Sequence, residues 1–286
     1  MTQIAGRRKR AVITGSNGGM GRAMTQAFGE TMDLVLTDIA GPPLASFERE
    51  LLDGGYVVSA TVPGDLCDAK VLAEVVAAAA SGAGLGVLVH TAALAPTGAA
   101  WDRIITVNLV ATERLLQALD PVLMPGSVVL VISSNAGYFA PVDQELSGII
   151  TDPLHPQLLS RLAPHVDQLS ASTDEMDRSS TAYMLSKWGV TELCARRAPD
   201  WTRRGARLVT ISPGVVNTPM GRAERERNPR AAMFIDCIPA GRMATAMDIV
   251  ATARFLASDG ASFISGCDIR VDGAAVPAMQ AMLARK

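Results

Sequence analysis

The sequence predicts an α/β fold, a doubly wound parallel sheet of about seven strands with a helical insertion after the fifth. Two observations carry this. Short apolar runs at residues 11–14, 34–37, 56–60, 85–90, 127–132, 207–211 and 268–271 alternate with helical patterns at 20–30, 68–80, 101–119, 181–197 and 246–256. Most of the short runs are continuously apolar rather than alternating, as parallel strands covered on both faces require. The β-α-β-α order implies right-handed crossovers and places any ligand in the crevice beyond the strands' carboxyl ends.

Composition narrows the class. The 286 residues are 49% hydrophobic and 19% charged, enough apolar material to offset ordering entropy and exclude a disordered chain. A net charge of -2 argues against a general nucleic-acid partner. Cys67, Cys194, Cys237 and Cys267 lie far apart, so free thiols in a reducing cytoplasm are expected. His90, His155 and His165 show no metal-ligand spacing, and no metal site is expected. The basic run Arg7, Arg8, Lys9, Arg10 precedes a short strand rather than a secretory core. Residues 75–101 carry no charged side chain, but Gly82, Gly84 and Gly86 interrupt them, which suits a helix end, a turn and a buried strand better than a membrane span. A cytoplasmic protein with no membrane partner is expected.

A single domain over residues 1–286 is expected, interrupted by an insertion at 138–180. Val142, Leu146 and Ile149, then Leu158, Leu159, Leu162, Val166 and Leu169, make apolar stripes at helical spacing, punctuated by Pro141, Pro153, Pro156 and Pro164. Such stripes need a partner surface. A docked insertion or subunit contact and a wall of the substrate site are both open readings.

Thr14-Gly15-Ser16-Asn17-Gly18-Gly19-Met20-Gly21 follows the first strand and opens a helix, the context of a Rossmann dinucleotide turn. Gly15 permits the turn, Gly19 lets backbone approach a pyrophosphate, and Gly21 permits close helix–sheet packing; the helix N-terminus then faces the phosphates. Asp38 ends the second strand about twenty residues on, where a carboxylate accepts ribose hydroxyls and repels a 2′-phosphate. With Ile39 and Ala40 following and no nearby cation, NAD is favoured over NADP. Asp65 and Leu66, after the third strand, can flank the adenine in the same way. Turn-capping roles are the ordinary alternative for both aspartates.

Tyr183 and Lys187 stand four apart on one helix face, in a chain with three tyrosines and four lysines. A nearby ammonium, together with a positively charged oxidised nicotinamide, favours the phenolate and lowers the tyrosine pKa from about 10, so Tyr183 can exchange a proton with an alcohol or ketone. Ser134, just past the fifth strand, can hydrogen-bond the reacting oxygen, and on the residues alone Ser133 competes for this role. Asn108 lies inside an apolar helix, where a buried amide either holds water near Lys187 or satisfies backbone.

These residues, in this order, resemble the short-chain dehydrogenase/reductase family. The glycine run matches its Thr-Gly-x-x-x-Gly-x-Gly, Asn108, Ser134, Tyr183 and Lys187 match its catalytic tetrad, and Pro213-Gly214 with Thr218 matches its Pro-Gly motif. Ser134 is preferred over Ser133 because the family's serine is the second of such a pair. The end of the chain, residues 255–273, looks like the family's closing helix and strand. The resemblance implies that Tyr183 is the general acid/base, that Lys187 binds the nicotinamide ribose, that Ser134 orients the reacting oxygen, and that Asn108 supports a water-linked proton relay. It implies cofactor contacts from Gly15, Asn17, Gly19, Met20, Gly21, Asp38, Asp65, Leu66, Ala92, Tyr183, Lys187, Pro213, Gly214, Val216 and Thr218.

The family's Asn-Asn-Ala-Gly after the fourth strand is replaced here by His90-Thr91-Ala92-Ala93, with His90 expected as a strand-end core histidine. The long interval from Ser134 to Tyr183 looks like that of the bacterial 3α-hydroxysteroid dehydrogenase/carbonyl reductase type, which implies a dimer or tetramer. Residues 219–240 occupy the substrate-lid position. Arg222, Glu224, Arg225, Glu226 and Arg227 there are expected on a solvated outer face, with Met220, Met233 and Phe234 lining a pocket. The expected activity is hydride transfer between NAD(H) and an apolar secondary alcohol or ketone, steroid-like or another carbonyl compound. Two alternatives are a family member doing elimination or epimerisation, disfavoured by its glycine spacing, and a silent NAD-binding sensor or scaffold, disfavoured because Tyr183 and Lys187 are both present.

Overall fold

The structure is a computed structural model that describes residues 8–285, the side chains at 229–231 and 234 excepted. Arg7 of the basic run and the side chain of Phe234 therefore lie outside the described residues. Seven parallel strands run β1 (Arg10–Thr14), β2 (Asp33–Asp38), β3 (Val58–Pro63), β4 (Leu85–His90), β5 (Val128–Ile132), β6 (Arg207–Pro213) and β7 (Asp268–Val271). Their order in the sheet is β3-β2-β1-β4-β5-β6-β7. The winding reverses between β1 and β4, which opens a crevice at the carboxyl ends of those strands.

Helices α1 (Gly19–Gly29), α2 (Gly41–Asp53) and α3 (Ala69–Ala80) link the first four strands. Between β4 and β5 run α4 (Trp101–Ile105), a π-helical turn (Thr106–Val110) and α5 (Ala111–Leu119). After β5 come α6 (Gln144–Ile150), α7 (Leu158–Leu169) and the long α8 (Glu175–Arg203). Helices α9 (Pro219–Arg227), α10 (Pro229–Asp236) and α11 (Ala246–Ala257) follow β6, and α12 (Ala275–Leu283) closes the chain. Two apolar layers bury the sheet. One holds Ile104, Ile105 and Leu116 from α4–α5 with Leu185 from α8, and the other holds Met24, Phe47 and Val250 from α1, α2 and α11.

Several elements differ from the sequence reading. Helix α2 has no counterpart in it, because its Gly-Pro-Pro opening resembles a turn; Pro42 and Pro43 instead occupy the first helical turn, where no N–H donor is needed, and Leu44, Phe47 and Leu51 form its buried face. Strand β3 begins two residues late because Tyr56 packs beneath α1 at Gly29 instead of joining the ladder. Helix α8 starts six residues before the expected 181, with the Asp174 carboxylate accepting from the Met176 N–H at its N-terminus. Helix α12 is a further addition.

Five of the insertion's eight stripe residues are buried, with Val142, Leu159 and Leu169 partly buried beside them. Leu146, Ile149 and Ile150 of α6 and Leu158, Leu162 and Val166 of α7 join the core layer that contains Leu109 and Leu185. They thus share one apolar layer with the helices that cover the sheet. Leu162 is fully buried, so Leu162→Ala is expected to cost about 2–5 kcal/mol of unfolding free energy in urea denaturation. A loosely attached insertion would lose well under that.

Candidate active site

The crevice is built first from backbone. Gly15 has φ +63, and a Cβ there would meet the Ala92 backbone at 2.9 Å; a Cβ on Gly21 would stand 2.0 Å from the Gly15 carbonyl oxygen. Only glycine lets the β1 turn pass under β4 and lets α1 start against it. A Cβ on Gly19 would strike the Thr218 side chain at 2.6 Å. The N-terminus of α1 has no side-chain cap and no acidic residue in its first turn, so its N–H donors face the crevice unopposed. At the end of β2 the Asp38 carboxylate accepts from the Asn17 N–H at 3.0 Å and the Ala40 N–H at 3.1 Å. A glycine cradle, an uncapped helix N-terminus and a fixed carboxylate at the next strand end suit the phosphates and ribose of a dinucleotide.

The chemical side is built on β5 and α8. Ser133 and Ser134 compete in sequence, and both line the pocket, but their hydroxyls are partnered differently. Ser133 is buried, its hydroxyl donating to the Lys187 carbonyl at 2.9 Å. Ser134 stays partly exposed at the start of the turn Asn135–Phe139, its Oγ accepting from the Ala136 N–H at 3.2 Å. One turn of α8 apart, Tyr183 lines the same pocket while Lys187 is buried behind it, its Nζ 5.7 Å from the Tyr183 ring centroid and donating to the Ile132 carbonyl at 3.0 Å.

Burial pushes Lys187 down to about 8. It pushes the Tyr183 hydroxyl above its ordinary value; a Ser134 hydrogen bond pulls it back, and the Glu224 charge raises it further. Loss of hydration is the largest effect on the phenolate in the folded chain, whereas the expected lowering by Lys187 concerns a site with an oxidised nicotinamide beside the ring.

Asn108 sits in the π-helical turn and is buried. Its Oδ1 accepts from the Leu94 N–H at 2.8 Å, and its Nδ2 donates to the Leu94 carbonyl at 3.0 Å and to Ser186 Oγ at 3.3 Å. The amide therefore braces the loop after β4. His90 is a core histidine, as expected, and it links both sides of the crevice. Thr112 donates its only hydroxyl proton to the Asn108 carbonyl at 2.7 Å, so it accepts from His90 Nε2 at 2.9 Å. Nδ1 then accepts from Thr14 Oγ1 at 2.7 Å, and that oxygen accepts from the Ala92 N–H at 3.3 Å. One neutral tautomer satisfies the whole chain.

Met20, Pro213, Gly214, Val216 and Thr218 line the pocket with Ser134 and Tyr183. Asp65 lies apart from them, its carboxylate accepting from the Cys67 N–H at 2.9 Å and pairing with Arg103, while Leu66 is buried in the core. The lid corrects one expectation. Met220 lines the pocket, but Met233 is exposed, and Glu224, assigned to the solvated face, turns inward. Residues 220, 224 and 228 form an i, i+4, i+8 stripe, a signal present in the sequence but masked by the surrounding charges. Ser180 and Met184 of α8 are further lining residues that sequence reasoning did not select. Among the described residues, no group of three His, Cys, Asp or Glu side chains is placed to hold a metal, and no helix is long and apolar enough to cross a membrane.

Residues 9–145 match the family model described as short chain dehydrogenase, and residues 166–274 match the model described as enoyl-(acyl carrier protein) reductase. The chain belongs to the short-chain dehydrogenase/reductase family. It is an oxidoreductase of alcohol/ketone chemistry, in a family that works with a nicotinamide cofactor. It is similar to galactitol 2-dehydrogenase (L-tagatose-forming) of Cereibacter sphaeroides, at 27% identity over 92% of this chain and 93% of the relative. It is also similar to D-threitol dehydrogenase of Mycolicibacterium smegmatis, at 29% identity over 93% and 92%. Among solved structures, a blue fluorescent protein from a metagenomic library in complex with NADPH superposes with a TM-score of 0.71, at 19% identity over 93% of this chain and 96% of that one, a likeness of fold.

Burial pushes the His90 imidazole down to about 3, with the Lys187 charge adding to the effect. Above about pH 6.5 the ring is neutral folded or unfolded. Below that the unfolded chain takes up a proton that the folded one refuses, so stability falls with pH until about 3. The expected slope from this group is about 1.4 kcal/mol per pH unit. Chemical denaturation of wild type and His90→Asn between pH 4 and 7 checks it: the variant should lose the slope.

Proposed function

We propose that the protein is an NAD(H)-dependent dehydrogenase/reductase that interconverts a secondary alcohol and a ketone with a mainly apolar body. The observation that carries this reading is the meeting of Tyr183 and Ser134 with Met20 and Thr218 around one pocket, with Lys187 behind the tyrosine. A dinucleotide held on Gly15–Gly21 and Asp38 would supply the hydride donor or acceptor and, when oxidised, a positive charge. Ser134 would hold the reacting oxygen. In reduction, Tyr183 gives its proton to the developing alkoxide; a hydroxyl held above its ordinary pKa remains loaded at neutral pH. In oxidation it takes the alcohol proton, so that direction speeds up as the pH rises. Lys187 keeps positive charge near the phenolate and the ribose site.

Asp38 supports NAD over NADP. Its carboxylate is fixed by two N–H donors and has lone pairs left for ribose hydroxyls, and a 2′-phosphate brought beside it meets a like charge. Ala95, Pro96, Met184, Val215 and Val216 support an apolar substrate body. The two named relatives act, by their names, on sugar alcohols, which supports alcohol oxidation as the chemical class.

Tyr183→Phe is expected to lower turnover by roughly 10²–10⁴-fold while dinucleotide affinity, read by NADH fluorescence, changes little. Full turnover in that variant would refute the assignment. NADH should bind about tenfold or more tightly than NADPH in the same titration, and Asp38→Ala should narrow the gap; equal affinities in wild type would refute the choice of cofactor.

A further inference from the structure

Hydride and proton transfer leave a charged pocket side chain without a role. Among the described residues lining the pocket, which are mostly apolar, Glu224 is the only charged one. Two elements hold it in place. Its Oε1 accepts from the Thr97 N–H at 2.9 Å and from the Thr97 hydroxyl, on the short turn Pro96–Gly98. Its Oε2 accepts from Asn228 Nδ2 at 3.2 Å. The neighbouring Arg225, Glu226 and Arg227 point away from the pocket, so the inward position of Glu224 follows from the turn of α9 against the Pro96 segment. The carboxylate is therefore a preset charge in the pocket wall, and its field reaches Tyr183.

A carboxylate has about four acceptor directions, and three are engaged here. The remaining one can accept a hydroxyl from the substrate as a charge-assisted hydrogen bond. A substrate carboxylate or phosphate in the same place would meet a like charge with little intervening water, in a pocket that offers no cation among the described residues. We propose that Glu224 sets the charge class of the substrate: the pocket takes a neutral alcohol or ketone whose apolar body carries a hydroxyl donor for Glu224, and it rejects compounds bearing a carboxylate or phosphate. The inference rests on the dehydrogenase reading for which oxygen reacts, but the selection by charge is a property of binding.

The test uses the full chain with NADH and three methyl ketones of equal length, ending in a methyl group, a primary alcohol or a carboxylate. Wild-type kcat/KM for the carboxylate compound should be about tenfold or more below that for the methyl compound, and the alcohol compound should equal or exceed it. Glu224→Gln keeps an oxygen for Thr97 but removes the charge, and it should bring the carboxylate and methyl compounds to within about threefold. Thr97→Val weakens the contact between lid and turn but keeps the charge, so it should retain the carboxylate penalty. Calorimetric binding of the same three compounds to wild type and Glu224→Gln reads the same ratios without turnover. Equal treatment of the carboxylate and methyl compounds by wild type, or an unchanged ratio in Glu224→Gln, overturns the proposal. Binding that follows these ratios with no turnover of any of the three would instead overturn the dehydrogenase reading and leave the role of Glu224 standing.

Discussion

A reciprocal pair of hydrogen bonds between the end of β5 and the middle of α8 sets the geometry on which the site depends. Lys187 donates its ammonium to the carbonyl of Ile132, and Ser133 donates its hydroxyl to the carbonyl of Lys187. Each bond uses a side chain of one element and the backbone of the other, so neither element can slide or rotate without breaking both. The register of α8 against the sheet follows, and with it the presence of Tyr183 and Ser134 at one pocket. Thr191, one turn further, donates to Ser133 Oγ at 3.1 Å and extends the seam. The buried Lys187 ammonium would be costly without the Ile132 carbonyl as its partner.

The opposite wall is fixed by a different device. Asn108 sits where its helix widens into a π-helical turn and uses its amide on the backbone of Leu94. The Asn108 carbonyl is in turn tied through Thr112, His90 and Thr14 to the Ala92 N–H. This chain joins β1, β4 and α5 at the point where the sheet changes winding. An imidazole that stays neutral is essential to it, since a second ring proton would leave Thr14 with no acceptor. The replacement of the family's asparagine by His90 is therefore accommodated by two threonine hydroxyls, one on each side of the ring.

The turn after Ser134 is anchored outward as well. Tyr138 donates to Asp268 at 2.6 Å, Ser212 donates to the other oxygen of that carboxylate at 3.0 Å, and Arg270 lies over the tyrosine ring. Strands β6 and β7 thus hold the segment that carries the candidate serine. The lid is attached through Glu224 to Thr97. The long helix α8 and the turn after β5 carry Tyr183, Lys187 and Ser134, while the short helix α9 carries Glu224.

By itself the sequence determined the doubly wound sheet, the glycine turn and the pairing of Tyr183 with Lys187. These depend on local rules: continuous apolar runs for covered strands, glycines where a strand turns into a helix, and a four-residue spacing that puts two side chains on one helix face. Helix α2 and the late start of β3 escaped because proline-rich openings and a packed tyrosine have meanings that depend on what lies above them. Only the tertiary structure showed how the Ser133 and Ser134 hydroxyls are partnered, that burial raises the Tyr183 hydroxyl, that the insertion packs into the core and that Glu224 turns inward. Each turns on which groups lose water and which find partners from distant segments, such as Thr97 for Glu224 and Lys187 for Ser133. Desolvation and long-range hydrogen bonding have no periodicity along a chain, and the one spacing that bears on them, residues 220, 224 and 228, is masked by the surrounding charges.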